Sequence, residues 1–387
     1  MSRSHDPEDR ERAADTASGT GEASDRRGTG RRLTLGTVFD PRENALNLIR
    51  LLLALFVIVW HAFPLTGAQI LADPVHQLVS RLSVDGFFAI SGFLIVSSWL
   101  RHPRWGAFLR ARALRIFPAF WVCLVVTAGV FAPLAVLMRS ATFPDGFASE
   151  AVSYVWRNML LRISQFGIAG TPAGVPEAGV WNGALWTLFW EFSCYLAVLA
   201  VGLVGLLRRR LTVPALFVAT LSAVLLTSYG PVTNGTAVVG ARLGLMFAAG
   251  AVMHRYRDTI PVGRSPLLAA GAIVLLATWL PEYSPLAALP LAYLVIALGA
   301  LGKHRRLRIG QDLSYGVYIY GFPVQQLLAT AGAGAWGVPA FAVVSVISTL
   351  PLAAASWFLV EKPALRLKAP TRRIQTVQDS AVRGLGS

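Results

Sequence analysis

The chain has 387 residues, of which 55% are hydrophobic and 14% are charged. Apolar runs of about twenty residues recur along most of its length, which is typical of a polytopic helical protein in the lipid bilayer and excludes a soluble domain or a membrane β-barrel. The formal net charge of +15 does not indicate nucleic-acid binding, because most basic residues lie in short segments between the apolar runs.

Residues 1–43 are rich in Ser, Gly, Asp and Arg and have few large apolar side chains. Such a segment cannot bury enough apolar surface to fold, so it is predicted to be a disordered cytoplasmic tail. It contains no apolar run of the kind that a cleavable signal peptide has, and we expect the first span to direct insertion. The membrane domain is predicted over residues 44–368, and residues 369–387 are predicted to form a cytoplasmic C-terminal tail.

The apolar runs predict an all-α polytopic membrane helix bundle with about ten transmembrane helices. The predicted spans are residues 46–65, 83–100, 116–137, 184–207, 212–229, 236–253, 266–281, 286–302, 312–333 and 338–360. The connections on one side, with the C-terminal segment, hold 21 Lys and Arg residues, whereas the opposite side holds four. By the positive-inside rule, the chain is an integral inner-membrane protein with both termini in the cytoplasm.

The first span contains two ionisable residues, Arg50 and His61. Eleven helical steps return to within roughly 20° of the starting direction, so the two side chains are expected on one face, about 16 Å apart. Ionisable groups inside a bilayer are costly and commonly line functional cavities. A neutral imidazole can take a proton from a hydroxyl group, as acyl transfer to an alcohol requires, so His61 is a candidate general base; a structural histidine is the alternative.

Arg112 and Arg115 lie in RHPRWGAFLRARALRIFP, the basic segment that leads into the third span. Three residues apart on a helix, they present two guanidinium groups on one face, which suits phosphate binding. The alternative is that they only set the membrane topology or contact lipid head groups. Because Arg50 is predicted near the same membrane surface, the three arginines form a candidate cytoplasmic site for a phosphate-bearing donor.

Residues 138–183 form the long non-cytoplasmic connection, and they combine Pro- and Gly-rich sequence with an amphipathic stretch, SEAVSYVWRNMLLRI. Loops of this length in a compact bundle are usually functional. A lid or an acceptor-binding element is therefore predicted, with a passive connector as the alternative.

Glu191, in LWTLFWEFSCYL, is predicted about 10 Å below the outer surface, at a depth similar to that of His61. A carboxylate within reach of the imidazole could fix its tautomer and stabilise the imidazolium, so Glu191 is a second candidate catalytic residue. Asp85 and Arg242 fall in the same outer half of the bundle and are candidate substrate-binding residues. Arg242 could hold a developing oxyanion or an acceptor group, and a plain salt bridge to Asp85 or Glu191 is the alternative.

Six segments of the chain resemble the acyltransferase 3 family of integral membrane O-acyltransferases, and they follow that family's order from about Asn44 to Lys368. They are LNLIRLLLALFVIVWH with Arg50 and His61, VDGFFAISGFLI, the Arg112 and Arg115 pair that ends in IFP, LWTLFWEFSCY with Glu191 and Tyr195, SYGVYIYGFP with Ser314, Tyr315 and Tyr318, and the closing VEKP with Glu361.

The resemblance implies a ten-helix membrane core, an acyl-CoA donor, His61 as the catalytic residue and CoA contacts for Arg112 and Arg115. Within the resembling SYGVYIYGFP segment, Tyr315 is expected to contact the substrate. Two positions depart from the family. Asn47 stands where Asp is frequent, which leaves Arg50 without that carboxylate partner, and Gly321 stands where His is frequent, which leaves His61 without a second imidazole.

The sequence thus predicts an O-acyltransferase that moves an acetyl or other short acyl group from acyl-CoA to a hydroxyl group of a carbohydrate, glycolipid or other glycosylated compound. No permanently bound cofactor is expected, and Cys123 and Cys194, both in apolar segments, offer no metal-ligand spacing. Two alternatives stay open. In the first alternative, the acceptor is a small molecule such as a macrolide. In the second, the chain belongs to another class of protein and is a transporter or flippase for a lipid-linked or acylated compound.

Overall fold

A computed structural model describes residues 33–69, 73–140, 142–230 and 234–368. Within these ranges the structure is all-α, and a helix overlaps each predicted span, which confirms the polytopic helix bundle. The helices of the first half are α1 (Leu35–Val38), α2 (Leu46–Leu65), α3 (Asp73–Arg101), α4 (Trp105–Val126), α5 (Ala132–Arg139), α6 (Phe147–Asn158) and α7 (Thr187–Leu203). Those of the second half are α8 (Thr212–Ser228), α9 (Gly235–Arg255), α10 (Arg264–Ala277), α11 (Ser284–Leu301), α12 (Ser314–Thr330), α13 (Val338–Ala355) and α14 (Lys362–Arg366).

Two of the spans are long helices interrupted by a π-helical turn. Residues Thr127–Phe131 join α4 to α5, and Ser356–Glu361 join α13 to α14. Together with α2, α3, α9 and α11, these make six helices in the described ranges that are long and apolar enough to cross a membrane, whereas α7, α8 and α10 are apolar but shorter. The chain is therefore an integral multi-pass membrane protein.

Helices α3 and α9 pack with their backbones in contact. A Cβ atom on Gly92 would lie 1.9 Å from the carbonyl oxygen of Phe247, and one on Gly250 would lie 1.8 Å from that of Ala89. Small residues allow such close approach between membrane helices, where lipid supplies no hydrophobic drive for association. The α3–α9 pair therefore depends on these two glycines.

Helices α2 and α12 also meet closely, at the position where the sequence departs from its family resemblance. A Cβ atom on Gly321 would lie 2.9 Å from Cγ1 of Ile58, and Gln325 donates a hydrogen bond to the Ile58 carbonyl at 2.9 Å. A larger side chain at this position, histidine included, would push α12 away from α2. Packing thus gives a physical reason for Gly321.

The predicted disordered tail is too long at its C-terminal end. Leu35 and Val38 of α1 are buried, the Leu35 N–H donates to the Ile260 carbonyl at 2.9 Å, and the Val262 N–H donates to the Leu33 carbonyl at 2.8 Å. Two apolar side chains and these backbone hydrogen bonds fix the segment against the loop after α9. The rest of the predicted tail, residues 1–32, and the predicted C-terminal tail, residues 369–387, lie outside the described residues.

The long connection between α5 and α7 contains a helix and an ordered bend. Helix α6 covers most of the predicted amphipathic stretch. Asn158, whose side chain is buried, donates to the Gln165 carbonyl at 2.7 Å and accepts from the Ser164 N–H at 2.9 Å. The role of this connection as a lid or an acceptor-binding element stays a prediction.

Irregular backbone enters the bundle before α7. This helix begins at Thr187, three residues later than predicted, and the preceding residues 180–186 run through the interior without helical structure. Asn182 donates to a backbone carbonyl of α12 at 2.8 Å, and Gln326 donates to the Val180 carbonyl at 2.6 Å. Non-helical backbone is stable at membrane depth only where protein groups satisfy it. Gln326 satisfies the Val180 carbonyl, and the Asn182 amide oxygen accepts from the Ala184 N–H at 3.1 Å.

Candidate active site

A cavity of about 300 Å³, here called the arginine cavity, lies at the end of the bundle that is predicted to face the cytoplasm. Its polar lining includes Asn47, Arg50, Ser91, Arg112, Arg115, Glu191, Tyr195, Asp312, Tyr315 and Lys368. It shares Arg50, Glu191 and Tyr315 with a narrower space of about 30 Å³, the inner cavity, whose lining also includes Phe87 and Tyr318. The structure thus brings together the three predicted arginines, Glu191 and Tyr315.

Asp312 joins two of these arginines. Its Oδ2 atom accepts hydrogen bonds from Arg50 Nη1 and Arg115 Nη2, both at 2.5 Å, and Ser314 donates to its Oδ1 at 2.5 Å. Two guanidinium groups and one hydroxyl group thus bind the same carboxylate, and these contacts stabilise its ionised form. The ionised Asp312 therefore supplies the carboxylate partner of Arg50 that Asn47 cannot supply.

The arginine cavity contains two further cations, Arg112 and Lys368. Arg115, by contrast, has a second carboxylate partner, Glu361, at 3.3 Å. Within the described residues Arg112 pairs with no carboxylate; its guanidinium carbon lies 6.0 Å from the centre of the Tyr195 ring. Lys368, two residues after the end of α14, is exposed at the cavity edge. Partial burial of its ammonium group and the charges of Arg112 and Arg115 lower its pKa to about 8. Arg112 and Lys368 are thus the cations best placed to meet an anionic ligand.

Glu191 faces the arginine cavity. Its Oε1 atom accepts a hydrogen bond from Ser91 at 3.0 Å and another from the hydroxyl of Tyr195, one turn later in α7. Tyr315, which lines the same cavity, donates its own hydroxyl to the Ile116 carbonyl at 2.8 Å. No hydrogen bond in the described structure joins Glu191 to the imidazole for which it was predicted as a partner.

The prediction that Glu191 and His61 lie at similar depth is wrong. One turn before Glu191, Thr187 bonds to the hydroxyl of Tyr318 at 2.5 Å. His61 packs against Phe322, one turn beyond Tyr318 in α12, with ring centroids 5.0 Å apart. Two such steps of four residues place Glu191 about 12 Å nearer the predicted cytoplasmic end than His61. The irregular segment before α7 causes this difference, because it carries the start of the helix into the bundle.

The ring of His61 is oriented by its own helix. Nδ1 lies 2.9 Å from the carbonyl oxygen of Val57, one turn earlier, and the ring meets Phe322 edge to face at an interplanar angle of 81°. A carbonyl oxygen can only accept a hydrogen bond, so Nδ1 carries the proton and Nε2 of the neutral ring keeps a free lone pair. The backbone thus performs the orienting role that the sequence assigned to Glu191.

Asp85 and Arg242 form a buried ion pair in the half of the bundle away from the arginine cavity. Arg242 Nη1 lies 3.2 Å from Oδ1 of Asp85, which is fully buried, and Tyr283 donates its hydroxyl to the same carboxylate. Neither residue lines the arginine cavity or the inner cavity. This geometry is the plain salt bridge of the two alternatives, and a contact with substrate stays a prediction.

A family model described as an acyltransferase domain, that of the acyltransferase 3 family, matches residues 43–358. The chain belongs to the acyltransferase 3 family. The predicted family and the predicted class of enzyme, an O-acyltransferase, are thereby confirmed.

Several curated proteins are similar to this membrane acyltransferase over most of their length. An "O-acetyl transferase" of Shigella phage Sf6 is 29% identical over 346 residues, which cover 85% of this chain and 98% of the relative. "Nodulation protein 10" of Rhizobium leguminosarum bv. viciae is 27% identical over 359 residues, or 84% and 94% of the two chains. "Exopolysaccharide production protein ExoZ" of Rhizobium meliloti (strain 1021) is 29% identical over 334 residues, or 77% and 93%. No solved structure is significantly similar.

Sequence reasoning missed Asp312, which holds the arginine cluster of this acyltransferase together. One signal was available, because Asp312 is the only acidic residue between Glu282 and Glu361. It follows the basic segment 303–308 and directly precedes the SYGVY segment. A lone carboxylate between a cationic loop and an apolar helix is costly unless it is paired, and the predicted arginine cluster was a ready partner.

Proposed function

We propose that this acyltransferase moves an acetyl or other short acyl group from acyl-CoA to a hydroxyl group of a carbohydrate, glycolipid or other glycosylated compound. The observation that carries the proposal is the arginine cavity, in which Arg50, Arg112 and Arg115 from two separate helices meet at one end of the bundle. The names of two relatives, an O-acetyl transferase and an exopolysaccharide production protein, support a hydroxyl acceptor on a sugar. A small-molecule acceptor such as a macrolide would use the same chemistry.

The donor would enter from the cytoplasm, with both termini on that side of the inner membrane. Its phosphates would bind Arg112 and Lys368 first, since Arg50 and Arg115 are already paired with Asp312. The acyl-pantetheine arm would then extend through the inner cavity, which has a volume of only about 30 Å³. Passage of even one extended chain therefore requires rotation of side chains such as Phe87 and Tyr318. Glu191, which lines both cavities, would accept a hydrogen bond from an amide of that arm.

The chemical step needs one base and no protein nucleophile. Nε2 of His61 takes the proton of the acceptor hydroxyl as that oxygen attacks the thioester carbonyl. The new C–O bond forms, the C–S bond breaks, and the CoA thiolate leaves with the proton that the imidazolium returns. The Val57 carbonyl supports this cycle, because its hydrogen bond to Nδ1 persists in both the neutral and the protonated ring.

The test is acyl transfer by the purified full chain in lipid nanodiscs, with radiolabelled acetyl-CoA and a panel of sugars, glycolipids and macrolides. His61→Ala should lower turnover by roughly 10²- to 10⁴-fold, the usual contribution of a general base. His76→Ala is the matched control, because His76 is an exposed histidine that packs against Trp60 away from the cavities. Unchanged turnover in His61→Ala would refute the base, and movement of a lipid-linked compound without consumption of acetyl-CoA would favour a flippase.

A further inference from the structure

A second cavity, of about 380 Å³, lies beside the arginine cavity at the same end of the bundle. We call it the entry cavity. Its walls include Phe39, Arg42, Asn44, Ser97, Arg101 and Arg308. The entry cavity and the arginine cavity share Asn47 and Leu94 in their linings, so one ligand can extend from the first into the second. Two of these wall residues, Phe39 and Arg42, lie in residues 1–43, the predicted disordered tail.

The entry cavity carries an excess of positive charge. Arg42, Arg101 and Arg308 line it. In the described part of the chain, a single carboxylate forms an ion pair with one of these three arginines. It is that of Glu43, which lies 2.9 Å from Arg308 Nη1, and 54% of the Glu43 side chain is exposed. An exposed pair of this kind contributes little and is easily exchanged for another anion. A phosphate monoester, with a charge of roughly −1.5 to −2 at neutral pH, would match the remaining excess.

The entry cavity also has an aromatic wall and enough room for a nucleoside. Phe39 is half-buried and packs edge to face against Phe93, with ring centroids 4.9 Å apart, which fixes its ring beside the cavity. A purine can stack on such a ring. The inner cavity, at about 30 Å³, cannot hold a purine. An extended donor is therefore expected to leave its bulky anionic end outside and to send its thin end inward.

We propose that the entry cavity binds the adenosine 3′-phosphate end of the acyl-CoA donor, while the diphosphate lies on Arg112 and Lys368. The proposal rests on the proposed function, in which acyl-CoA is the donor. It assigns Arg42, Arg101 and Arg308 to the 3′-phosphate and Phe39 to the adenine ring. The segment between α1 and α2 is then part of the donor site.

The experiment compares acetyl-CoA with acetyl-3′-dephospho-CoA as donors for the purified full chain in phosphatidylcholine nanodiscs. The wild type should show a kcat/KM roughly 10- to 100-fold lower for the dephospho donor, the range expected from losing a charge-assisted hydrogen-bond network. Arg42→Gln and Arg101→Gln should each lower kcat/KM for acetyl-CoA about tenfold and change it little for the dephospho donor. Arg305→Gln is the matched control, because Arg305 is an exposed arginine of the same loop as Arg308 outside the cavity lining and should leave both values unchanged.

Each other outcome overturns the proposal in a distinguishable way. Equal use of both donors by the wild type would rule out a 3′-phosphate site in the entry cavity and would leave the proposed function intact. Equal losses for both donors in Arg42→Gln and Arg101→Gln would assign those residues to folding. If the variants differ from wild type only in phosphatidylglycerol nanodiscs, without donor discrimination, the cavity binds a lipid phosphate instead. Acyl transfer from no CoA thioester at all would refute the proposed function as well.

Discussion

Replacing Asp312 with Asn removes the charge that holds two buried arginines at the arginine cavity. The Asp312 side chain is only 10% exposed, so solvent screens little of its attraction to Arg50 and Arg115. Breaking one side of a buried ion pair usually costs roughly 3–5 kcal/mol. We therefore expect Asp312→Asn to destabilise the protein by about 3–5 kcal/mol.

The assay is thermal unfolding of the detergent-purified full chain. Asp258→Asn is the matched control, because Asp258 is 76% exposed and lies 3.7 Å from Arg257, a surface pair worth about 0–1 kcal/mol. Asp312→Asn should lower the unfolding midpoint by several degrees and Asp258→Asn by much less.

Two results would refute this reasoning. The first is a midpoint for Asp312→Asn no lower than that of Asp258→Asn, which would mean that the arginines keep their stability without the carboxylate. The second comes from a chain in which Arg50 and Arg115 are both Gln. Asp312→Asn should cost clearly less there, because its charged partners are gone. An undiminished loss in that background would assign the effect to the hydrogen bond from Ser314 instead.

Three further predictions test the donor site, the topology and the N-terminal boundary. Arg112→Gln combined with Arg115→Gln should raise the KM for acyl-CoA more than the KM for the acceptor, since both residues line the arginine cavity. Equal changes in the two KM values would indicate a folding or topology role. A cysteine at the exposed Ala178, in a chain with Cys123 and Cys194 replaced, should be labelled only from the non-cytoplasmic side, and labelling from the cytoplasm would reverse the orientation. Deleting residues 1–32 should leave activity and the unfolding midpoint intact. Deleting residues 1–39 should lower the midpoint, because it removes the buried Leu35 and Val38, each worth about 1.5–3 kcal/mol; equal midpoints would contradict the packing of α1.

The amino-acid sequence by itself determined the helical membrane bundle and the residues that distinguish its family. Lipid offers no hydrogen bonds to the backbone, so each long apolar run has to form a helix whatever its neighbours are. Helical periodicity, which is also local, predicted that Arg50 and His61 share one helix face. These conclusions depend on residues a few positions apart, which is why they could be reached before any packing was known.

Only the tertiary structure decided which charged groups meet. Arg50 and its partner Asp312 are 262 positions apart. Helical periodicity predicts which face of a helix points inward, but it does not predict how far the helix is shifted along its axis relative to its neighbours. Close crossings such as that at Gly321 set these positions. The depth of Glu191 depended on the irregular segment before α7, which the Gln326 side-chain amide of α12 stabilises. That residues 33–43 are structured was also not predictable from the sequence, because their few apolar side chains are buried only by packing against the loop after α9.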